Sequence, residues 1–446
     1  MKIHSGSFDC YQQSMLRRVH IQGYKSFQSV ELDMRPLTLI IGSNATGKSN
    51  LFDALRLLSR VVTSNSLHEA FTDHRGDPLE AFSYSEGGLE ALLQKETAQF
   101  TIEVDVELSQ ASRARTEQLI ERYVSPSNGT TSRRHPKKPS VTESLLRYRV
   151  SISINPQTGA LRVEDEQLLG LIEKHDGHLC PNEKIKPFIE KVGNWLHLWM
   201  EGQDSFVQYE TGLGYAIISQ PLYPPYYPHL IALREELASC QFYYLEPHLI
   251  REASPIKESY TITSFGGDLA AFYWTLQRTH PGQFHNLEKT LQTFIPTIEG
   301  IQTEVTKDGL LQLKVKEDGI EHSVKVVSEG TLRLLALLAI LSLQNPASVI
   351  GIEEPENGVH PRRLRHIARL LQNASEKRQI IVNTHSALLL DYFDTDRIGI
   401  VQCFKKDGRT HFQVLHQIER SFQKLDAEEA IEEALPSDRI MRGDWG

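Results

Sequence analysis

Gly42-Ser43-Asn44-Ala45-Thr46-Gly47-Lys48-Ser49 decides how this chain is read, because it fills every fixed position of the pattern G-x-x-x-x-G-K-[ST]. Glycines at that spacing let the backbone curl until successive N–H groups face one anion, and a helix opening behind them adds its positive end. The implied ligand is a phosphate chain. Gly42, Asn44 and Gly47 shape the cradle, Lys48 reaches the β- and γ-phosphates, Asn50 stands just behind, and Ser49 offers a hydroxyl to magnesium. The plainer alternative is a glycine turn in front of a helix.

The flanks favour the phosphate reading. Val19 to Ile21, Val30 to Met34 and Leu37 to Ile41 are short apolar-rich runs of strand character, and the last leads straight into the glycines. Leu51, Ala54, Leu55, Leu58 and Val62 then recur at helical spacing, so strand, loop and helix follow in the order such a site requires.

Three further stretches suit the same chemistry. Ser348-Val349-Ile350-Gly351-Ile352-Glu353-Glu354-Pro355-Glu356 is an apolar strand ending in acids, and a buried strand of a parallel sheet delivers its tip to the edge where ligands sit. Glu353 is the expected magnesium acid, and Glu354 the acid that orients and polarises the attacking water. Without the glycine loop, a solvated acidic turn would be the better reading. Val327-Ser328-Glu329-Gly330-Thr331 precedes Leu332 to Leu343, a helix apolar on nearly every face; its free N–H groups, the Ser328 hydroxyl and the close approach at Gly330 suit a γ-phosphate. An ordinary N-cap serine is the alternative. Finally Gln379-Ile380-Ile381-Val382 reads as a strand, and His385, in Asn383-Thr384-His385-Ser386, follows it as a γ-phosphate contact.

Between these ends the signals are weaker. Phe100 to Leu108 and Tyr148 to Ile154 alternate as half-buried strands, and the breaker-rich, basic run from Ser125 to Pro139 reads as a mobile loop. Pro221 to Pro228, with three tyrosines, is expected to pack as a surface loop. No heptad pattern is sustained, so no long coiled-coil arm is expected. Ile301 to Val327 holds three short strands joined at Asp308-Gly309 and Asp318-Gly319.

Bulk properties bound the answer. With 446 residues, 40% hydrophobic and 24% charged, two lobes around sizeable cores are expected. The formal charge of −9 gives no whole-molecule attraction to nucleic acid or to an anionic membrane, so any nucleic-acid contact must be local. Cys10, Cys180, Cys240 and Cys403 form no C-x-x-C pair, which argues against a disulfide framework or zinc site and fits a reducing cytoplasm. No apolar run reaches the roughly 20 residues of a membrane helix, and Met1 to Gln13 is polar. Met15, at the mouth of the first strand, is a candidate alternative start that intact-mass measurement would test.

With the four elements placed, the chain resembles the ABC-type ATPase heads of the RecF, SMC and OLD superfamily, closest to bacterial predicted ATPases without a long coiled coil. The resemblance covers Met15 to Val62 and roughly Tyr243 to Phe412. It implies an α/β P-loop NTPase: an ABC-type head whose mixed β-sheet is flanked by helices, with an inserted α+β lobe. Residues 1–62 and 301–446 would be the two halves of the head and 63–300 the inserted lobe. Ser328, Gly330 and Thr331 occupy the family's signature position, Asn357-Gly358-Val359-His360-Pro361 the loop facing a partner head, His385 the switch histidine, and Lys25 a nucleotide contact. Ala45 stands where many relatives have glycine, Glu329 replaces the central glycine of the transporter signature, and Glu353 replaces the usual aspartate. Gln94 and Gln99 are the candidates for the metal-loop glutamine.

What the resemblance implies about function is an ATP- and Mg2+-dependent homodimer, or higher homo-oligomer, that closes around nucleotide and opens on hydrolysis. DNA repair or phage defence is the expected setting, with a separately encoded nuclease or toxin effector and DNA as a candidate partner. An ATP-switched protein-binding adaptor that never touches DNA is the alternative, which the acidic balance slightly favours. A transporter ATPase fits poorly, because 353 − 42 = 311 positions separate Gly42 from Glu353. Only 446 − 385 = 61 residues follow His385, too few for an OLD-type nuclease domain. Their acidic run, Asp426, Glu428, Glu429, Glu432 and Glu433, reads as a solvated helix face.

Overall fold

Leu37–Ile41, Val349–Glu353 and Gln379–Thr384 are buried along their whole length, which requires strands covered on both faces. The computed structural model describes residues 15–72, 74–83, 88–124, 140–395 and 397–415. In chain order its strands are β1 (Met15–Tyr24), β2 (Phe27–Asp33), β3 (Leu37–Ile41), β4 (Ala98–Glu107), β5 (Leu145–Ile154), β6 (Leu161–Glu173), β7 (Leu179–Pro181), β8 (Ile189–Val192), β9 (Trp195–Trp199), β10 (Phe206–Glu210), β11 (Gln241–Tyr243), β12 (Ser254–Pro255), β13 (Ile298–Val305), β14 (Leu310–Glu317), β15 (Ile320–Ser323), β16 (Val349–Glu353), β17 (Gln379–Thr384), β18 (Gly399–Lys406) and β19 (Arg409–Val414).

The fully buried strands are the centre of a six-stranded sheet in the order β11-β16-β17-β3-β18-β19. All its pairs are parallel except β18 with β19, so the ends of β11, β16, β17 and β3 open at one edge. One face of this sheet meets the helix Lys48–Val61, whose Leu51, Ala54, Leu55 and Leu58 join Ile40, Val349, Ile381 and Val401 in one apolar cluster. Helices Glu329–Ile340 and Leu364–Ser375 cover the other face, where Leu335, Ile367 and Leu371 pack in a second cluster with Leu39, Ile350 and Ile380. Alternate residues of each strand thus feed opposite cores.

A second, antiparallel sheet runs β10-β9-β8-β6-β5-β4-β1-β2, with β7 on β6. Here the pairing runs across the boundaries expected from the sequence. β1 and β2, expected in the first half of the head, share this sheet with strands of the 63–300 stretch, while β11 from inside that stretch pairs with β16. Apolar alternation says that a segment is a strand but not which strand it pairs with.

A small sheet of β12 to β15 lies beside helices Leu269–Thr279 and Pro281–Phe294. Its turn at Asp318 and Gly319 has φ of 48° and 79°, the left-handed pair that a two-residue hairpin demands. The Pro/Tyr stretch is more embedded than expected: Pro224, Pro225 and Tyr227 are buried, and Tyr223 packs edge-on against Tyr123 at 5.6 Å. Among the described residues no helix exceeds the 15 residues of Gln110–Val124, and none is long and apolar enough to cross a membrane. The readings made for Met1 to Gln13, Ser125 to Pro139 and the acidic run from Asp426 fall outside the described residues.

Candidate functional site

Register sets the site. Glu353 pairs with Asn383, and Thr384 pairs with Ile41, so the acid of β16, the turn after β17 and the glycine loop after β3 reach one edge together. Gly47 begins the helix at φ 105° with no side-chain cap, leaving the first N–H groups for a ligand. A Cβ there would lie 2.5 Å from Thr410 Oγ1 and 2.7 Å from Ser26 Oγ. Ala45 sits at φ 63°, a left-handed position that glycine fills without strain. The loop is braced from behind, where Thr410 Oγ1 donates to the Thr46 carbonyl at 2.6 Å.

Lys48 Nζ donates to the carbonyls of Gly42 at 2.7 Å and Ser43 at 2.9 Å. Burial pushes its pKa down, against the raising influence of Cys403, Glu354, Glu353 and Glu356. Ser49 Oγ donates to Glu353 Oε2 at 3.1 Å. Burial lifts the Glu353 pKa to about 7; the Ser49 hydrogen bond and the Arg75 charge oppose the shift, and Asp53 and Glu354 add to it.

Glu354 leaves the strand in the left-handed region, φ 47°, with its N–H on the Asn383 carbonyl at 2.7 Å. Such a backbone costs on the order of 1–3 kcal/mol and persists where the surroundings over-determine it. The turn carries its carboxylate to 3.2 Å from His385 Nδ1, and Asn357 Nδ2 donates to the other oxygen. Glu356 accepts from the Thr384 hydroxyl through Oε1. Asn383 Nδ2 donates to the Lys48 carbonyl at 3.1 Å. Glu356 Oε2 and Asn383 Oδ1 are buried acceptors with no donor among the described residues. The Ser49 hydroxyl and the buried Glu353 carboxylate form a hard oxygen pair, which fits a hydrated divalent cation.

The structure therefore gathers Gly42, Gly47, Lys48, Ser49, Glu353, Glu354 and His385, while the side chains of the other expected residues meet different neighbours. Lys25 Nζ lies on Asp53 at 2.5 Å and on the Arg75 carbonyl at 3.2 Å. Asn50 Nδ2 donates to Ser26 Oγ at 2.8 Å, and Asn44 is exposed on the loop. Ser328 caps its helix through the Thr331 N–H, and Gly330 is pressed against the Gly358 carbonyl in the loop after the acids. β4, which carries Gln99, belongs to the antiparallel sheet; β11 flanks the acid strand instead. The residues that follow it, Tyr244 and Glu246, line a cavity of about 370 Å³ with Phe52, Asp53, Arg75 and Glu353. Arg75 and Thr410 belong to no motif that the sequence offers.

Two family descriptions match, "AAA ATPase domain" over residues 15–126 and "AAA domain, putative AbiEii toxin, Type IV TA system" over residues 245–391. The chain is 22% identical over 408 residues to a protein of Escherichia coli named "Retron Ec83 probable ATPase", covering 86% of this chain and 71% of that one. It is 32% identical over 101 residues to the "DNA replication and repair protein RecF" of Renibacterium salmoninarum, 22% of this chain and 24% of that protein. An Smc head solved with the C-winged helix domain of ScpA superposes with a TM-score of 0.50 at 14% identity, over 90% of this chain and 99% of that one.

Proposed function

We propose, from the premise that this chain folds as an ABC-type ATPase head of the RecF and SMC kind, that it binds ATP with magnesium and hydrolyses it. One observation carries the reading: the helix bearing Lys48 and Ser49 meets the acid strand at Glu353 while Glu354 faces His385. Lys48 exchanges its two loop carbonyls for the β- and γ-phosphates, and the uncapped N–H groups behind Gly47 hold the same anion. Ser49 and Glu353 would hold magnesium, which would neutralise charge on the phosphate oxygens. Glu354 orients and polarises the attacking water, and His385 contacts the γ-phosphate and fixes the Glu354 carboxylate.

In this reading Ser328, Gly330 and Thr331 serve the nucleotide of a second copy, so the working unit is an isologous dimer that ATP closes. The setting we infer is DNA repair or phage defence with a separately encoded nuclease or toxin effector; the relatives named as a retron ATPase and as a replication and repair protein support it. Calorimetric ATP titration and phosphate-release assays test the core of the reading. Hydrolysis that needs magnesium and falls about 100-fold or more in Lys48→Ala is expected; a wild-type chain that binds no ATP sinks it.

A further inference from the structure

Asn50, Ser26, Thr410 and Thr46 form a chain of hydrogen bonds that runs from the helix behind the glycine loop to the β1–β2 turn, on to β19, and back to the loop. Asn50 Nδ2 lies 2.8 Å from Ser26 Oγ, Ser26 Oγ 2.7 Å from Thr410 Oγ1, and Thr410 Oγ1 2.6 Å from the Thr46 carbonyl. Proton counting gives this chain one direction. A carbonyl only accepts, so Thr410 commits its single hydroxyl proton to Thr46; Ser26 then donates to Thr410 and accepts from the Asn50 amide. The Thr410 N–H, on the Ser26 carbonyl at 3.3 Å, joins the same two residues through the backbone. Thr410 is 2% exposed and Thr46 6%, so water competes little for the last bond of the chain.

What that bond does follows from peptide geometry. A trans peptide holds its C=O and the following N–H in one plane, pointing opposite ways. Drawing the Thr46 carbonyl back toward β19 therefore turns the Gly47 N–H to the side away from β19. The same two hydroxyls stand where a Gly47 Cβ would be, at 2.5 Å for Thr410 Oγ1 and 2.7 Å for Ser26 Oγ, so they fix the position of that residue as well as the plane before it. Thr46 itself donates to the Ser43 carbonyl at 2.9 Å, which sets the loop's curvature from within; its attachment to the sheet behind comes from Thr410, with Cys403 Sγ a weak second donor at 3.6 Å.

The strand has no need of a hydroxyl at this position. Thr410 is the one fully buried residue of β19, a setting that valine fills at least as well, and Phe412 already holds the strand to the turn by packing edge-on against Phe27 at 5.6 Å. A buried hydroxyl is costly unless bonded, and here the bond goes to the loop.

We infer that Thr410 is a positioning residue of the phosphate loop: by holding the Thr46 carbonyl it aims the Gly47 N–H at the bound phosphates, and the Ser26 hydroxyl keeps it in place. The consequence for ATP rests on the ATPase reading above, whereas the brace itself stands on these hydrogen bonds.

The test compares the full chain as wild type, Thr410→Val, Thr410→Ser and Ser26→Ala. Hydrogen exchange read by mass spectrometry follows the nucleotide-free loop: the peptide covering residues 42–50 should exchange at least about threefold faster in Thr410→Val, with β5 unchanged, and Thr410→Ser should restore most of the protection. Calorimetry and steady-state hydrolysis with magnesium read the consequence. Thr410→Val should weaken ATP binding and raise KM by about tenfold while kcat changes less than about twofold, and Ser26→Ala should shift both in the same direction by about threefold. A lower kcat with KM unchanged, as a smaller folded fraction would give, overturns the proposal. Equal loop exchange in wild type and Thr410→Val overturns it whether or not ATP binds. Faster loop exchange in Thr410→Val, beside a wild-type chain that binds no ATP, supports the brace and faults the ATPase reading instead.

Discussion

The Ser49 hydroxyl donates to the Glu353 carboxylate at 3.1 Å, joining two residues 304 positions apart in the chain. That contact connects the glycine loop to the acid strand and marks where a cation would sit. Replacing Ser49 with alanine should weaken magnesium-dependent ATP binding by about tenfold, the worth of one hydrogen bond or ligand contact to a charged group. Ser49→Thr, which keeps the oxygen, should stay near wild type. Calorimetry with and without magnesium measures this, and equal affinities for Ser49→Ala and wild type would contradict the assignment.

Glu354→Gln removes the acid that polarises water while keeping the shape of the loop. Hydrolysis should fall by about 100-fold or more, and ATP with magnesium should accumulate a dimer on gel filtration. If only monomers elute under those conditions, the face-to-face mechanism fails.

Gly330 has no room for a side chain, because a Cβ would run into the Gly358 carbonyl. Gly330→Ala should therefore displace one loop against the other, at a cost of about 1–3 kcal/mol of stability. ATP binding to the monomer should change less than about twofold while turnover falls at least about tenfold. Unchanged turnover would remove Gly330 from the site.

Glu166 gives a pH signature unconnected with catalysis. It is fully buried, accepting from the N–H groups of Ile217 and Ile218 and from the Tyr148 hydroxyl, and burial raises its pKa to about 7 against the pull of those bonds. Between its ordinary value of 4.5 and about 7 the folded chain holds a proton that the unfolded chain has lost. Stability should accordingly decline across that window, by on the order of 3 kcal/mol from this group. Urea melts at pH 5 and pH 7 test it: Glu166→Gln, though less stable throughout, should show a flatter pH dependence. Identical slopes would refute the buried-proton account.

Much of the site was legible because its signals are local. The glycine loop, the apolar strand ending in Glu353 and the strand before His385 each declare themselves within about ten residues, and each forms where expected. Lys25 shows the limit. Its neighbourhood resembled a nucleotide contact, yet Asp53, one helical turn beyond Ser49, holds its ammonium in this structure. The candidates Gln94 and Gln99 show it again, since the strand beside Glu353 comes from Gln241–Tyr243, three residues long and without a periodic signal.

By itself the sequence determined which segments are strands and helices around the phosphate loop, and which acids, lysine and histidine the chemistry has available. Periodicity and glycine spacing are properties of neighbours along the chain, so they can be read without coordinates. Only the tertiary structure decided that β1 pairs with β2 and β4 rather than with β3, and that Thr410 braces the loop. Those facts depend on partners distant in the chain, which are settled only when the two cores close around the parallel sheet.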